Sequence, residues 1–193
     1  LLDAAKGVET QTRKLFQVCK LRNTPIATFV NKLDRPGRDP FDLMTEVEQL
    51  LSIHCVPVNW PIGMGPDFRG VYDRMSRKVL VFRRVGDHGA TIVDMQEMDV
   101  ADPRLPEVVG ETLWKSTRDE IELLDTAGEE FDVAAFLAGK ITPVFWGSAM
   151  TNFGIEPFLR RFKQFAPKPG DRSSSKGTVQ PEDKGFSAFV FKV

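Results

Sequence analysis

Residues 31–34, with the sequence NKLD, follow the apolar run PIATFV at residues 25–30 and place an amide, an ammonium and a carboxylate within four positions. The carboxylate of Asp34 can accept two hydrogen bonds side by side. Guanine offers a matching pair of donors, its ring N–H and its exocyclic amine, and adenine lacks that pair. Because a bond to a charged acceptor contributes roughly 1.5–3 kcal/mol, Asp34 can set most of a guanine-over-adenine preference. Asn31 can bridge the outer edge of the base to a neighbouring loop, and the stem of Lys32 can lie across one face of the base.

A second loop, GSA at residues 147–149, follows the apolar run ITPVFW at residues 141–146. Its backbone N–H can approach the guanine O6 atom, while Ser148 braces the loop and the small Ala149 permits close contact. The plainer alternatives are a solvated loop at residues 31–34 and a small-residue turn in which Ser148 caps the next helix. Two such loops, each after a strand-like run, favour the nucleotide interpretation.

The apolar pattern predicts the elements that must position these loops. Continuous apolar runs at residues 25–30 and 141–146 are typical of strands buried on both faces of a parallel sheet, and residues 1–2 look like the end of another strand. Amphipathic spacing predicts helices at residues 15–21, 41–51 and 155–165, the second with Asp39 as N-cap and Pro40 in its first turn. Ligands of such sheets bind at the carboxyl ends of the strands, where both loops lie.

From about residue 56 the pattern changes. Short strand-like segments alternate with turn-rich ones, at residues 56–62, 70–72, 78–82 and 91–93. A helix is expected over residues 105–131 and a short one over residues 133–137. The predicted fold class is therefore α/β, a mostly parallel sheet flanked by helices, interrupted by an inserted α+β subdomain.

These residues resemble the translational GTPases. The motif residues are NKLDR at 31–35 and GSA at 147–149, and the segments at 3–9 and 11–13 resemble the stretch that follows the D-x-x-G loop of that superfamily. Within the insert, the amino-acid sequence resembles the peptide chain release factor 3 family more than elongation factor G. The segments that carry this are NWPIG at 59–63, FRGVYD at 68–73, FLAGKITPVF at 136–145 and NFGI at 152–155.

The resemblance implies the C-terminal half of a P-loop-type GTPase domain that binds GTP or GDP. The guanine-binding positions carried over are Asn31, Lys32, Asp34, Ser148 and Ala149. It further implies a cytoplasmic, ribosome-dependent GTPase that helps class I release factors dissociate from the ribosome in translation termination. Two alternatives stay open: an elongation factor G-like translocation GTPase, and an insert that serves as a ribosome- or protein-interaction module through the exposed charges of residues 111–122.

The expected organisation is a piece of a longer protein. It divides into GTPase segments at 1–59 and 141–166, the insert at 60–140, a linker at 167–185 and the first strand of a following β-barrel domain at 186–193. No G-x-x-x-x-G-K-[ST] loop occurs, because KGT at residues 176–178 follows a serine tract. The parts that hold phosphates and Mg²⁺ are therefore missing, and we expect no catalytic residue, no GTP hydrolysis and at best weak GTP binding by these 193 residues alone.

The stretch DTAG at residues 125–128 resembles a D-x-x-G phosphate loop, but its position argues against that role. It lies between the 31–34 and 147–149 motifs, an order that no circular permutation of the GTPase motifs produces. The residues before it form an amphipathic pattern and not a buried strand. Asp125 is therefore predicted to lie in a helix that ends near Gly128.

Composition adds limits. The formal net charge is −1, with 26 basic and 27 acidic residues, so there is no global electrostatic case for nucleic-acid or membrane binding. No apolar run approaches the ~20 residues of a membrane span. Cys19 and Cys55 have neither zinc-site nor disulfide-scaffold spacing, so no metal site is predicted. His54 beside Cys55 suggests a reactive thiol only weakly, because no base with an orienting partner is evident.

Overall fold

The structure is a computed structural model that describes residues 1–85, 92–175, 177–188 and 190. Its strands are β1 (Leu2–Asp3), β2 (Thr28–Asn31), β3 (His54–Pro57), β4 (Asn59–Ile62), β5 (Gly70–Asp73), β6 (Lys78–Val85), β7 (Ile92–Asp99), β8 (Ile141–Trp146), β9 (Arg172–Ser174) and β10 (Gly177–Val179). Its α-helices are α1 (Thr10–Leu21), α2 (Pro40–Leu51), α3 (Leu105–Val109), α4 (Glu111–Ala127), α5 (Val133–Leu137) and α6 (Ile155–Phe165).

A parallel sheet with strand order β1-β2-β8-β3 organises the part of the molecule that bears both polar loops. Every residue of β8 is buried, as its unbroken apolar sequence predicts. Strands β2 and β8 are neighbours although more than 100 residues separate them in sequence, so the intervening chain leaves the sheet and returns to it. The predicted α/β fold with a mostly parallel sheet is confirmed.

The chain leaves through an antiparallel sheet with strand order β4-β5-β6-β7, and α4 packs against β4 while α3 packs against α4. The alternating stretch at residues 56–62 is not one element. Strand β3 ends at Pro57 and pairs with β8 in the parallel sheet, whereas β4 begins at Asn59 and pairs with β5. That β3 completes the parallel sheet was not predicted, because a four-residue strand is too short to show a hydrophobic period.

The two sheets share one apolar core. Trp60 of β4 and Trp146 of β8 are both fully buried, with ring centroids 5.7 Å apart. The buried side chain of Asn59 accepts a hydrogen bond from the backbone N–H of Trp146 at 2.8 Å and donates one to its carbonyl at 3.2 Å. The antiparallel sheet is thus tied to the residue immediately before the 147–149 loop.

Several helix predictions are confirmed and one needs correction. The carboxylate of Asp39 accepts from the backbone N–H groups of Phe41 and Asp42, as an N-cap should. The helix expected over residues 105–131 is two helices, because Gly110, with a φ of +107°, interrupts the helical conformation between α3 and α4. Helix α4 then ends at Ala127, with Gly128 at its C-cap.

Helix α1 forms as the sequence predicts but buries none of its side chains. Its apolar face, which includes Leu15 and Phe16, lines a cavity of roughly 810 Å³ together with residues of β1 and β2. The amphipathic pattern therefore identified the helix correctly, and Phe16, which is partly buried, packs against the core.

The end of the chain differs from expectation in one respect. The segment predicted as a linker at 167–185 contains a small hairpin in which β9 pairs with β10, and its residues are mostly exposed. Residues 186–188 and 190 form no regular element, and the rest of the strand predicted at 186–193 lies outside the described residues. Residues 86–91 also lie outside them, which includes the turn-rich stretch 86–89 expected between the segments at 78–82 and 91–93 and the first residue of the second of these segments. The domain boundaries themselves stay predictions.

Candidate functional site

The carboxyl ends of β1, β2 and β8 meet at one edge of the parallel sheet. There the structure brings together Asp3 at the end of β1, the 31–34 loop after β2 and the 147–149 loop after β8. All five sequence-predicted site residues lie in these two loops. Their contacts show what each side chain is held to do.

Asn31 joins the two loops. Its side-chain oxygen accepts a hydrogen bond from the backbone N–H of Lys32 at 2.8 Å and another from that of Ala149 at 2.9 Å. These bonds join Asn31 to the neighbouring loop, and its predicted contact with the base stays a prediction. The carboxamide NH₂ of Asn31 has no hydrogen-bond partner within the described part of the chain, so it can donate to a ligand.

Lys32 has a φ of +72°, a left-handed conformation that a non-glycine residue adopts only when its surroundings hold it there. Its ammonium group donates to the Asp3 carboxylate at 2.7 Å. That bond, with a second from the backbone N–H of Ala5, holds the pKa of Asp3 below its ordinary value. Asp3 was not singled out from the sequence. Its position at the carboxyl end of β1, the strand that pairs directly with β2, is the feature that could have indicated it.

Asp34 is braced by the other loop. One of its carboxylate oxygens accepts a hydrogen bond from the hydroxyl of Ser148 at 2.5 Å, and the other lies 3.9 Å from the guanidinium of Arg35. The Ser148 side chain is fully buried and its oxygen accepts from the backbone N–H of Thr151 at 3.3 Å. A carboxylate has about four acceptor positions, so Asp34 is fixed in place and still able to accept from a ligand.

Backbone contacts lock the loops in register. Leu33 is fully buried, and its N–H donates to the carbonyl of Gly147 at 3.2 Å, while the N–H of Gly147 donates to Val30 at 3.0 Å. A side chain at Gly147 has no room, because a Cβ there would lie 2.6 Å from the carbonyl oxygen of Phe153 and 2.8 Å from the ring of Phe29. The glycine of the 147–149 loop is thus required by packing.

The arrangement presents groups that could hydrogen-bond to a guanine base. A fixed carboxylate with spare acceptor capacity lies beside an amide donor and an exposed loop residue, Ala149. Sequence reasoning missed Thr151, whose backbone N–H supports Ser148. Its buried position is evident only once the loop is folded. The described residues contain no group of three or more His, Cys, Asp or Glu side chains placed to hold a metal ion.

The lookalike stretch at residues 125–128 lies elsewhere. Asp125 belongs to α4, where its carboxylate accepts from the hydroxyl of Tyr72 at 2.9 Å and pairs with Arg74 and Arg77 at 3.5 and 3.4 Å. The prediction that Asp125 is helical is confirmed. It braces the antiparallel sheet and takes no part in the edge formed by β1, β2 and β8.

The thiol of Cys55 is not activated. Burial, together with the nearby charge of Glu48, raises the pKa of Cys55 to about 12. A thiol with that pKa is protonated at neutral pH and is not a nucleophile. His54 pairs instead with Glu48 at 2.7 Å and Glu129 at 3.3 Å.

Comparison with known proteins adds the family context. Residues 1–168 match the model of the elongation factor Tu GTP binding domain. Over all 193 residues the chain is 51% identical to peptide chain release factor 3 of Synechocystis sp. and 52% identical to peptide chain release factor 3 of Symbiobacterium thermophilum. It covers 35% and 36% of those two proteins, so it spans about a third of their length.

A solved structure supports the fold alone. The chain aligns with a protein of known crystal structure from Thermus thermophilus at a TM-score of 0.59 and 19% identity, over 93% of this chain and 33% of that one. Among the described residues, no helix is both long enough and apolar enough to cross a membrane.

Proposed function

Because the chain belongs to the family of elongation factor Tu GTP-binding domains, that is, to the translational GTPases, we propose that it is the guanine-recognising part of a ribosome-dependent GTPase of the release factor 3 type. In this role the parent protein uses GTP binding and hydrolysis in the cytoplasm to help class I release factors leave the terminated ribosome. The ribosome and those release factors are the partners of the parent protein.

The observation that carries the proposal is the hydrogen bond between Ser148 and Asp34. It joins two loops separated by 114 positions and fixes the carboxylate that would accept from the guanine ring N–H and 2-amine. Asn31 lies on the same loop pair and offers an NH₂ donor. The Lys32 stem, held through its ammonium by Asp3, would lie against one face of the base.

The chemistry of GTP hydrolysis requires phosphate and Mg²⁺ ligands that these loops do not supply. No G-x-x-x-x-G-K-[ST] loop occurs in the sequence, and no residue of the described site is placed to attack a phosphate. The share of these 193 residues is therefore base selection. Mg²⁺ would bind with the phosphate-binding segments of the parent protein.

The decisive experiment is Asp34→Asn in the full-length gene product. An amide presents a donor where the carboxylate presented an acceptor, so the pocket should match the 2-oxo group of xanthine instead of the 2-amine of guanine. We expect GDP affinity to fall by about a hundredfold and XDP affinity to rise, measured by competition against a fluorescent nucleotide. Unchanged preference for GDP over XDP would overturn the assignment of Asp34.

The same proposal predicts weak binding by the 193 residues alone. Base contacts survive in this chain and phosphate contacts do not, so we expect no GTP hydrolysis and a dissociation constant for GTP in the high micromolar range or above. Calorimetric titration measures this directly. Micromolar or tighter binding would show that residues within this chain hold the phosphates.

An elongation factor G-like translocation role is the alternative from the same superfamily. The curated relatives described above carry the release factor name, which favours release factor 3. Peptidyl-tRNA translocation and release factor recycling are separate ribosome assays, so the full-length product can be tested in both. Activity in translocation alone would reverse the choice.

A role for the insert in ribosome or protein interaction stays a further candidate. Its support is that the polar face of α4 is exposed, including Glu111, Lys115, Arg118, Asp119 and Glu122. A solvated helix face has the same appearance. Exchanging the exposed Lys115 and Arg118 for glutamate in the full-length gene product and measuring ribosome-stimulated GTP turnover separates the two, since an unchanged rate would leave this face without the role.

A further inference from the structure

The 31–34 loop is held on a second side by a turn that no motif singled out. This turn, residues 63–66 (GMGP), follows β4 and leads into a short 3₁₀ helix, Gly65–Asp67. The backbone N–H of Gly65 donates to the carbonyl of Leu33 at 2.7 Å. That carbonyl belongs to the residue directly before Asp34, so the turn after β4 contacts the 31–34 loop next to the predicted guanine-binding carboxylate.

The peptide groups of Leu33 are therefore fixed in opposite senses. Its N–H donates to Gly147 at 3.2 Å, and its carbonyl accepts from Gly65 at 2.7 Å. Because the Leu33 side chain is also fully buried, the plane of the following peptide, and with it the direction in which Asp34 leaves the chain, is set by contacts from both sheets. Removing either contact would let the carboxylate rotate away from the base.

The turn packs against the whole 31–37 region. A Cβ at Gly65 would lie 3.6 Å from the backbone nitrogen of Pro36, and a Cβ at Gly37 would lie 3.0 Å from the sulfur of Met64. On its other side the turn is backed by α4, since a Cβ at Gly63 would lie 3.2 Å from the side chain of Leu113. The turn therefore lies between α4 and residues 35–37, in close contact with both.

Asp34 also faces space that the turn helps to enclose. A cavity of roughly 460 Å³ beside the carboxylate is lined by Asp34 and Thr151 from the parallel-sheet side and by Gly65, Pro66, Phe68 and Arg69 from the insert. The insert thus forms one wall next to the group that selects the base.

We propose that Gly65, through its N–H bond to Leu33, is a positioning residue for guanine selectivity. It needs glycine because its φ of +65° is a left-handed conformation that a Cβ disfavours. The proposal rests on the assignment of Asp34 as the guanine-binding carboxylate, and it adds that the inserted sheet, and not the 147–149 loop alone, sets the aim of that carboxylate.

The test uses three variants of the full-length gene product. Gly65→Ala strains the turn without a clash, because the atoms nearest a new Cβ are 3.6 Å or more away. Gly65→Asn is the rescue, because asparagine tolerates the left-handed region better than alanine. Gly139→Ala is the matched control: its φ is +69°, its added Cβ meets nothing within 4 Å, and it lies in the loop after α5, away from the guanine loops.

The readout is affinity for GDP and for IDP, whose base lacks the 2-amine. If Gly65 positions Asp34, Gly65→Ala raises the Kd for GDP by about three- to tenfold and lowers the preference for GDP over IDP by about threefold, because Asp34 would accept two hydrogen bonds from guanine and only one, from the ring N–H, from the base of IDP. Gly65→Asn restores both values toward the wild type. Gly139→Ala leaves both unchanged while lowering the unfolding temperature to the same degree as Gly65→Ala.

The outcomes separate the two proposals. A wild-type protein with equal affinity for GDP and IDP would overturn the assignment of Asp34, and with it this inference. A wild-type preference for GDP that Gly65→Ala leaves unchanged would overturn the role of Gly65 alone. A Gly65→Ala variant that weakens GDP and IDP equally would reduce Gly65 to a structural residue, and this also contradicts the proposal.

Discussion

Asp34 and Asp125 are nearly equally exposed, at 19% and 18% of their side-chain surface, yet they stand in different settings. Asp34 lies at the carboxyl edge of the parallel sheet with one strong protein donor, Ser148. Asp125 lies on a helix over the antiparallel sheet, where the hydroxyl of Tyr72 and two guanidinium groups surround it. The difference is the place of each carboxylate in the fold and the charge around it, since two guanidinium groups lie within 3.5 Å of Asp125 and the one beside Asp34 lies at 3.9 Å.

The comparison teaches that a carboxylate's role follows from what already satisfies it. Asp125 accepts a hydrogen bond from Tyr72 and its charge is balanced by Arg74 and Arg77, so it stabilises the insert. Asp34 is oriented by one bond and retains the positions that two base donors require. The four letters DTAG and NKLD do not distinguish these cases, whereas the strand that precedes NKLD does.

The largest expected effect comes from breaking the core that both sheets share. Trp60→Ala removes a fully buried ring that contacts Phe41 and Trp146, and the Glu120 carboxylate loses the indole N–H that donates to it. We expect a loss of about 3–5 kcal/mol in the free energy of unfolding, measured by urea denaturation. Leu123→Ala, at an exposed position of α4, is the control and should change it by less than about 0.5 kcal/mol. Equal denaturation midpoints for the two variants would contradict a shared core.

Asp125→Asn should affect stability without affecting the nucleotide. It removes the charge that pairs with Arg74 and Arg77 and weakens the acceptor for Tyr72, which should cost about 1–2 kcal/mol of unfolding free energy. GDP affinity should stay at the wild-type value, and the exposed Asp119→Asn should change neither quantity. A weaker GDP affinity in Asp125→Asn would place Asp125 in the nucleotide site and break the comparison.

Ser148→Ala, in contrast, should weaken nucleotide binding. It removes the hydroxyl that braces Asp34 and leaves the carboxylate free to rotate, so GDP affinity should fall by about fivefold, or about 1 kcal/mol. Ser116→Ala, which removes an exposed hydroxyl bonded to a carbonyl of α4, is the matched control with no expected change. An unaltered GDP dissociation constant in Ser148→Ala would mean that Asp34 needs no brace.

The smallest effect is a pH dependence in the insert. Burial first, and then the hydrogen bond to Asp125, raise the pKa of Tyr72 to about 12 from 10. A raised pKa in the folded state stabilises the fold fully below pH 10, and that contribution is lost as the pH rises through 12. Tyr72 is the single tyrosine of these 193 residues, so its ionisation can be followed by ultraviolet absorbance. In Asp125→Asn the titration midpoint should move down, and an unmoved midpoint would assign the whole shift to burial.

Local patterns predicted most of the elements. The apolar run before the 31–34 loop, the Asp39 cap and the amphipathic spacing of α6 each act within a few residues, so they are visible in sequence. The break at Gly110 was missed because glycine alone does not reveal its φ. The hairpin formed by β9 and β10 was missed because a serine- and proline-rich segment has no apolar period.

By itself, then, the sequence determined most of the strands and helices and the order of the two guanine motifs, since all of these depend on neighbouring residues. Only the tertiary structure decided that β3 pairs with β8, that Ser148 holds Asp34 across 114 positions, and that Gly65 holds Leu33. Such contacts depend on where distant segments meet in space. No local spacing encodes that meeting, and it becomes visible only when the shared core brings the two sheets together.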